Sequence, residues 1–347
     1  MTVPEALTIP AGRVDERLAE VLDTYRAEWG ELDPLFNETI DLLSTLVLAG
    51  GKRVRPAMAY WGFVAAAGDV SSPEIANLGA SLELLQAFAL FHDDVMDGSP
   101  TRRGVPTAHV AAIAQHDVAN WGGEARRYGE AVAILAGDVS LVLSDVLLAD
   151  ANPDVRRLWN DLRIEVNLGQ FLDVVGTARG EVPLATAERI VEYKTARYTI
   201  VRPLQMGAAL AGRNDLEEAL GRIGTPLGVA FQLRDDLLGA FGSPEVTGKP
   251  VGDDLREGKP TPLLARAREA ASKSQLKLLG LVGSNLTPDQ VAAVQTIFVE
   301  TGAKAAIESQ IGDLTHDALD AIARTPLASD ANHHLAELGT FLATRSS

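Results

Sequence analysis

The sequence predicts an all-α protein: a bundle of about ten or more helices joined by short loops and forming one domain over residues 1–347. Three observations carry that prediction. Apolar residues recur at helical spacing, as in Leu42, Leu43, Leu46 and Val47, then Leu78, Leu82, Leu85 and Ala89, then Ile134, Val139, Val142 and Val146. Convincing strand alternation is absent. Glycine and proline punctuate the periodic stretches at Gly50-Gly51, Gly68 to Pro73, Gly98 to Pro106, Asn120 to Gly123, Asn152-Pro153, Gly176 to Pro183 and Gly242 to Pro262.

Composition narrows the function. With 46% hydrophobic residues in 347, the chain can bury a substantial core. Lys and Arg number 31 against 47 Asp and Glu, a net charge of -16 without long basic runs, so nucleic acid is not an expected partner. The chain has no cysteine, which excludes disulfides, thiolate metal sites and thiol nucleophiles and fits a cytoplasmic protein. Met1 to Glu20 lacks the apolar core of a secretory signal. Asp138 and Asp145 interrupt the longest apolar stretch, Ala131 to Leu148, so no membrane span is expected.

Along the chain, the first chemical motif is Gly50-Gly51-Lys52-Arg53-Val54-Arg55-Pro56, two glycines before a basic run at an expected helix start. Backbone amides and cations there suit a phosphate. Next comes Phe91-His92-Asp93-Asp94-Val95-Met96-Asp97, followed by Arg102 and Arg103. On a helix, Asp93 and Asp97 share a face one turn apart and repel, a cost that divalent cations offset. Alone, such a string is most often an exposed acidic helix end. Between His109 and Tyr128 lies a connection with Asn120-Trp121-Gly122-Gly123, to which no role is assigned. Lys194, Thr195 and Arg197 sit on a further helix. In Phe231-Gln232-Leu233-Arg234-Asp235-Asp236, Gln232 and Asp236 share a face, and Gly239 stands where a spaced acid is expected. Lys249 and Lys259 follow in a Gly/Pro-rich loop. Two acid pairs on apolar helices are expected to line a cavity in the bundle.

These residues resemble the trans-polyprenyl (isoprenyl) diphosphate synthases, in order from Gly50 to Leu264. The matching strings are GGKRVRP (Gly50 to Pro56), HDDVMDGSPTRRGVPTAH (His92 to His109), ILAGD (Ile134 to Asp138), GQFLD (Gly169 to Asp173), YKTARYT (Tyr193 to Thr199), FQLRDD (Phe231 to Asp236) and GKPVGDDLREGKPTPLL (Gly248 to Leu264). The resemblance implies an isoprenoid synthase-type helical bundle around a deep central cavity, normally a homodimer. It makes Lys52, Arg55, Gln86 and Arg103 the isopentenyl diphosphate site. Arg102, Lys194, Thr195, Gln232, Lys249 and Lys259 become the allylic diphosphate clamp. Asp93, Asp97 and Asp235 become metal ligands, supported by Asp94 and Asp236, for about three Mg²⁺ ions that also take water and phosphate oxygens. Gln170 and Asp173 are implied to orient Lys194.

The implied reaction is head-to-tail condensation of isopentenyl diphosphate with a dimethylallyl, geranyl or farnesyl primer. No His or Glu stands as an obvious base, which leaves released diphosphate to take the proton. A class I terpene cyclase and a non-catalytic partner subunit remain as alternatives. If the growing chain runs beside the Asp93 helix, one turn of about 5.4 Å matches about one isoprene unit. Small Ala89 then lets it pass and Phe88 forms the floor. An aromatic residue at that place, five before Asp93, is what the family resemblance associates with geranylgeranyl diphosphate (C20) as product, with farnesyl diphosphate or a longer polyprenyl diphosphate as alternatives. Gly239→Asp is expected to be tolerated or to alter activity mildly.

Overall fold

The structure, a computed structural model of the chain, describes residues 3–102, 104–242, 252–328 and 330–344. Helices α1 (Glu5–Gly30), α2 (Phe36–Leu48), α3 (Val54–Ala65) and α4 (Pro73–Asp97) come first. A two-residue antiparallel pair follows, Thr101–Arg102 against Val105–Pro106, with Thr101 opposite Pro106. Then come α5 (Ala108–Ala119), α6 (Ala125–Val146), α7 (Pro153–Arg179) and α8 (Leu184–Ile190). A π-helical segment, Val191–Val201, runs into α9 (Arg202–Leu210), and a single 3₁₀ turn, Asn214–Leu216, leads to α10 (Glu217–Phe241). Beyond it lie α11 (Asp253–Glu257), α12 (Pro262–Ala270), α13 (Lys273–Leu279), α14 (Pro288–Glu300), α15 (Ala303–Arg324) and α16 (Ala331–Thr344). The all-α expectation holds, and no described helix is long and apolar enough to cross a membrane.

Contacts gather the described residues into two compact units, each with its own core. One comprises Leu7–Tyr60 and Asp69–Pro153. Its core includes Leu18, Leu43, Leu84, Phe91, Ala136 and Leu143. Here α4 has strong local signals at both ends. Ser72 caps it by accepting from the Glu74 N–H (3.3 Å), and Pro73 fixes its first turn. Gly98 ends it in the left-handed conformation, φ +63°, where a Cβ is strained. Leu78, Leu82 and Leu85 are fully buried, each worth roughly 1.5–3 kcal/mol. Helix α6 meets α4 through small residues: Ser81 Oγ donates to the Ser144 carbonyl and Ser140 Oγ to the Leu84 carbonyl, both at 2.7 Å. The unassigned connection after α5 is folded down by aromatic contacts. Trp121 and Tyr128 meet edge to face at 5.3 Å, and buried His116 touches both and bonds the Gly122 carbonyl (3.2 Å).

The other unit comprises residues 3–6, Trp61–Gly68 and 154–344. Leu233 and Leu237 of α10 are buried in a core with Leu264, Phe298 and Ile307. The π segment is held closely on two sides. A Cβ at Gly169 of α7 would lie 2.3 Å from the Lys194 nitrogen, and one at Gly228 of α10 would lie 2.6 Å from Ala196 Cα. Both glycines are there because backbone occupies the space.

Candidate active site

In the first unit the basic motif divides its cations. Gly50 has φ +84° and Arg53 has φ +48°, a strained value for a residue with a Cβ. That turn sends Arg53 inward, where it is 5% exposed. Its guanidinium donates to Asp15 (2.9 Å), Glu83 (2.5 Å) and the Val47 carbonyl (2.7 Å). Burial alone would lower its pKa, but the Glu83 and Asp15 carboxylates raise it. Lys52 is left exposed and Arg55 half-buried at the start of α3. Arg53 is therefore a strut, tied through Glu83 to the stretch of α4 that carries Gln86.

On α4, Asp93 and Asp97 are half-buried while Asp94 is buried. Arg102 Nε donates to both Asp94 oxygens, at 2.9 and 3.0 Å, and Arg102 Nη2 lies 3.8 Å from Asp93. Asp94 is thus committed to holding Arg102, which keeps that guanidinium close to the metal-ligand candidate Asp93. Phe88 and Ala89 are half-buried one turn earlier, and the Phe88 ring meets His92 edge to face at 4.6 Å.

In the second unit, Lys194 pairs with Asp173 of α7. The motif containing Gly169 and Asp173 therefore grips Lys194 twice, through its backbone and through its ammonium. Thr195 is half-buried beside it. On α10, Gln232 Nε2 donates to Asp236 Oδ1 (2.7 Å), as a shared face requires. Asp236 Oδ2 is buried without a hydrogen-bond partner. Burial, reinforced by Asp254 and Asp235 and opposed by the Gln232 bond, pushes the Asp236 carboxyl up to about 8. Asp235 stays half-buried at the helix surface. Lys259 pairs with Glu257 (2.7 Å) and Asp254 (3.4 Å). Arg103 and Lys249 lie outside the described residues, as does much of the Gly242 to Pro262 loop.

Gly239 has a neighbour that bears on one expectation. A Cβ there would lie 1.7 Å from Asp254 Oδ2 and 2.6 Å from its Cγ. The space of the missing acid is already filled by a carboxylate from α11. An Asp at 239 requires that carboxylate to shift.

The pattern of the polyprenyl synthetase family matches residues 37–300 of this sequence. The chain belongs to that family. It is 32% identical over 303 residues to a geranylfarnesyl diphosphate synthase of Aeropyrum pernix, covering 84% of this chain and 89% of that protein. A (2E,6E)-farnesyl diphosphate synthase of Mycobacterium bovis is 34% identical over 306 residues, covering 85% and 80%. Among solved structures, a geranylgeranyl pyrophosphate synthase of Corynebacterium glutamicum, crystallised with isoprenyl diphosphate and magnesium, superposes with a TM-score of 0.92. It is 36% identical and covers 99% of this chain and 100% of its own. Family membership makes the chain a trans-prenyltransferase that elongates prenyl chains.

The donors fit magnesium. Among the described residues no three His, Cys, Asp or Glu side chains cluster as a ready metal cage. Mg²⁺ needs no such cage, since it takes one or two carboxylates and completes its shell with water and phosphate oxygens. Asp93 with Asp97, and Asp235 beside the unpartnered Asp236 oxygen, are such donor sets. Sequence reasoning missed Arg53 as a strut and Asp254 as the carboxylate beside Gly239. The signal for Asp254 was the Asp253-Asp254 pair shortly after a motif short of one acid.

Proposed function

We propose that the chain condenses isopentenyl diphosphate head to tail with dimethylallyl, geranyl and farnesyl diphosphates, releasing geranylgeranyl diphosphate as its main product. The observation that carries this reading is the division of labour on α4. Asp94 is turned inward to hold Arg102, and Asp93 and Asp97 remain on one face at the spacing that a cation relieves. Asp93, Asp97 and Asp235 would hold about three Mg²⁺ ions, which when bound would supply positive charge toward the departing diphosphate.

The chain's own residues do the rest. Lys52, Arg55 and Gln86, with Arg103, bind isopentenyl diphosphate; Arg102, Lys194, Thr195, Gln232, Lys249 and Lys259 bind the allylic diphosphate. Fixed cations such as Lys194, held in place by Asp173, stabilise charge without reorganising as it develops. No His or Glu is assigned as base, and the allylic diphosphate that leaves takes the proton. The growing chain extends along α4, passing Ala89 and stopping at Phe88. On α6 the apolar side chains of Ile134, Leu135, Val142 and Val146 are exposed, which supports a homodimer, and the absence of cysteine supports a cytoplasmic setting.

The test is an assay of the purified chain with labelled isopentenyl diphosphate, Mg²⁺ and each primer. Elongation to C20 is expected. A cyclised hydrocarbon formed without isopentenyl diphosphate, or no product from any primer, would overturn the reading.

A further inference from the structure

We propose that His92, seated over Gly137, is a positioning residue that sets product length by holding the Phe88 ring in place. The inference rests on the reading of Phe88 as the floor and adds to it the part that fixes where the floor stands.

Helices α4 and α6 run antiparallel in a fixed register. Ser81 bonds Ser144, Leu84 bonds Ser140, Phe88 lies opposite Gly137 and His92 reaches Ile134. Each step along α4 is met by a step of three or four residues back along α6. Gly137 is a point of close approach. A Cβ there would stand 2.5 Å from His92 Cδ2 and Nε2, and 3.5 Å from the Phe88 carbonyl oxygen. The imidazole occupies the space that the missing side chain leaves. It is anchored there on α6, with Nε2 donating to the Ile134 carbonyl (3.1 Å) and lying 3.6 Å from Asp138 Oδ1.

The anchored imidazole then serves as a wall for Phe88. The two rings meet edge to face, with centroids 4.6 Å apart and planes at 62°, within the favoured range for aromatic pairs. A half-buried Phe on a helix has few χ1 choices, and a fixed neighbour on the same face reduces them further. Phe88 therefore cannot retreat toward α6 while His92 is in place.

The two residues make opposite predictions. Removing the imidazole in His92→Ala opens space on the α6 side, so Phe88 retreats and products lengthen. Adding a methyl group in Gly137→Ala pushes the imidazole against Phe88, so the floor rises and products shorten. His92→Gln keeps an N–H for the Ile134 carbonyl and should fall between wild type and His92→Ala.

The experiment measures product lengths by chromatography at a fixed substrate ratio, alongside kcat/KM for the first condensation. His92→Ala should raise the ratio of longer products to C20 about fivefold, and Gly137→Ala should raise the C15 to C20 ratio by about as much, with first-condensation kcat/KM within about threefold of wild type. In a Phe88→Ala background, His92→Ala should add no further lengthening, because its effect passes through the ring already removed. Unchanged lengths in Gly137→Ala and His92→Gln overturn the proposal even if His92→Ala is inactive. Additive lengthening in the double variant overturns it too. Absence of elongation by the wild-type chain refutes instead the proposed function, and the two failures are told apart in one assay.

Discussion

The two acidic clusters solve the same electrostatic problem in different ways. Each places adjacent carboxylates on an apolar helix, where burial of an unpaired charge costs several kcal/mol. On α4 the inward acid, Asp94, is neutralised by a cation, the Arg102 guanidinium. On α10 the inward acid, Asp236, is neutralised by a proton, with one oxygen on Gln232 and the other unpartnered. The first solution is an ion pair. The second leaves a carboxyl that gives up its proton when positive charge arrives beside it. The outward acids, Asp93 with Asp97 and Asp235, are the ones proposed above as metal ligands.

The sharpest way to break this comparison is to remove an outward acid. Asp93→Ala, Asp97→Ala and Asp235→Ala should each lower kcat by about 10³-fold or more while circular dichroism shows the helical fold intact. Near-normal turnover by a folded Asp93→Ala protein would contradict the metal assignment. Arg102→Ala tests the cation solution: it strands Asp94 and should cost about 3 kcal/mol in urea unfolding, of which Asp94→Asn in the same chain should return a large part. If Arg102→Ala alone is neutral, the pair does not neutralise Asp94 in the way described.

Gly239→Asp should lower turnover about 10- to 100-fold and raise the KM for the allylic primer, because it shifts the Asp254 carboxylate and disturbs Lys259. A variant with wild-type kinetics would show that Asp254 moves without consequence. The smallest effect concerns pH. The folded protein without metal holds the Asp236 proton up to about pH 8, whereas the unfolded carboxyl loses it near 3.8. The native state binds more protons between those values, so stability falls as pH rises from about 4 to 8 and levels off above. Asp236→Asn should flatten that slope in denaturation titrations; an unchanged slope assigns it to other groups.

Much of the fold was legible because a 3.6-residue period and Gly/Pro breaks are local properties. The start of α4 at Ser72-Pro73 and its end at Gly98 are readable from those residues alone. The break at residues 31–35 is not among the expected ones, since Gly30 and Pro34 stand there without a clustered signal. The π segment is unreadable for a different reason. Its backbone packs closely on Gly169 and Gly228, residues distant in sequence, so no window around Lys194 contains those contacts. The site was legible as residue types and only partly as roles. Lys52, Arg53 and Arg55 look alike in a basic run, and only the positive φ at Arg53 turns one of them into a buried strut. Asp94 reads from sequence only as a support to its acidic neighbours, and the structure shows Arg102 donating to both its oxygens.

The contact between Gly239 and Asp254 also constrains how this chain can change over generations. Restoring an acid at position 239 collides with Asp254 as it stands, while losing Asp254 first leaves the vacancy unfilled. Each single replacement is expected to fare worse than the present pair, which would couple the two positions. A lineage that carries glycine here is expected to keep Asp254 more strictly than one that carries the acid, and reciprocal exchange of both residues should be tolerated better than either exchange alone.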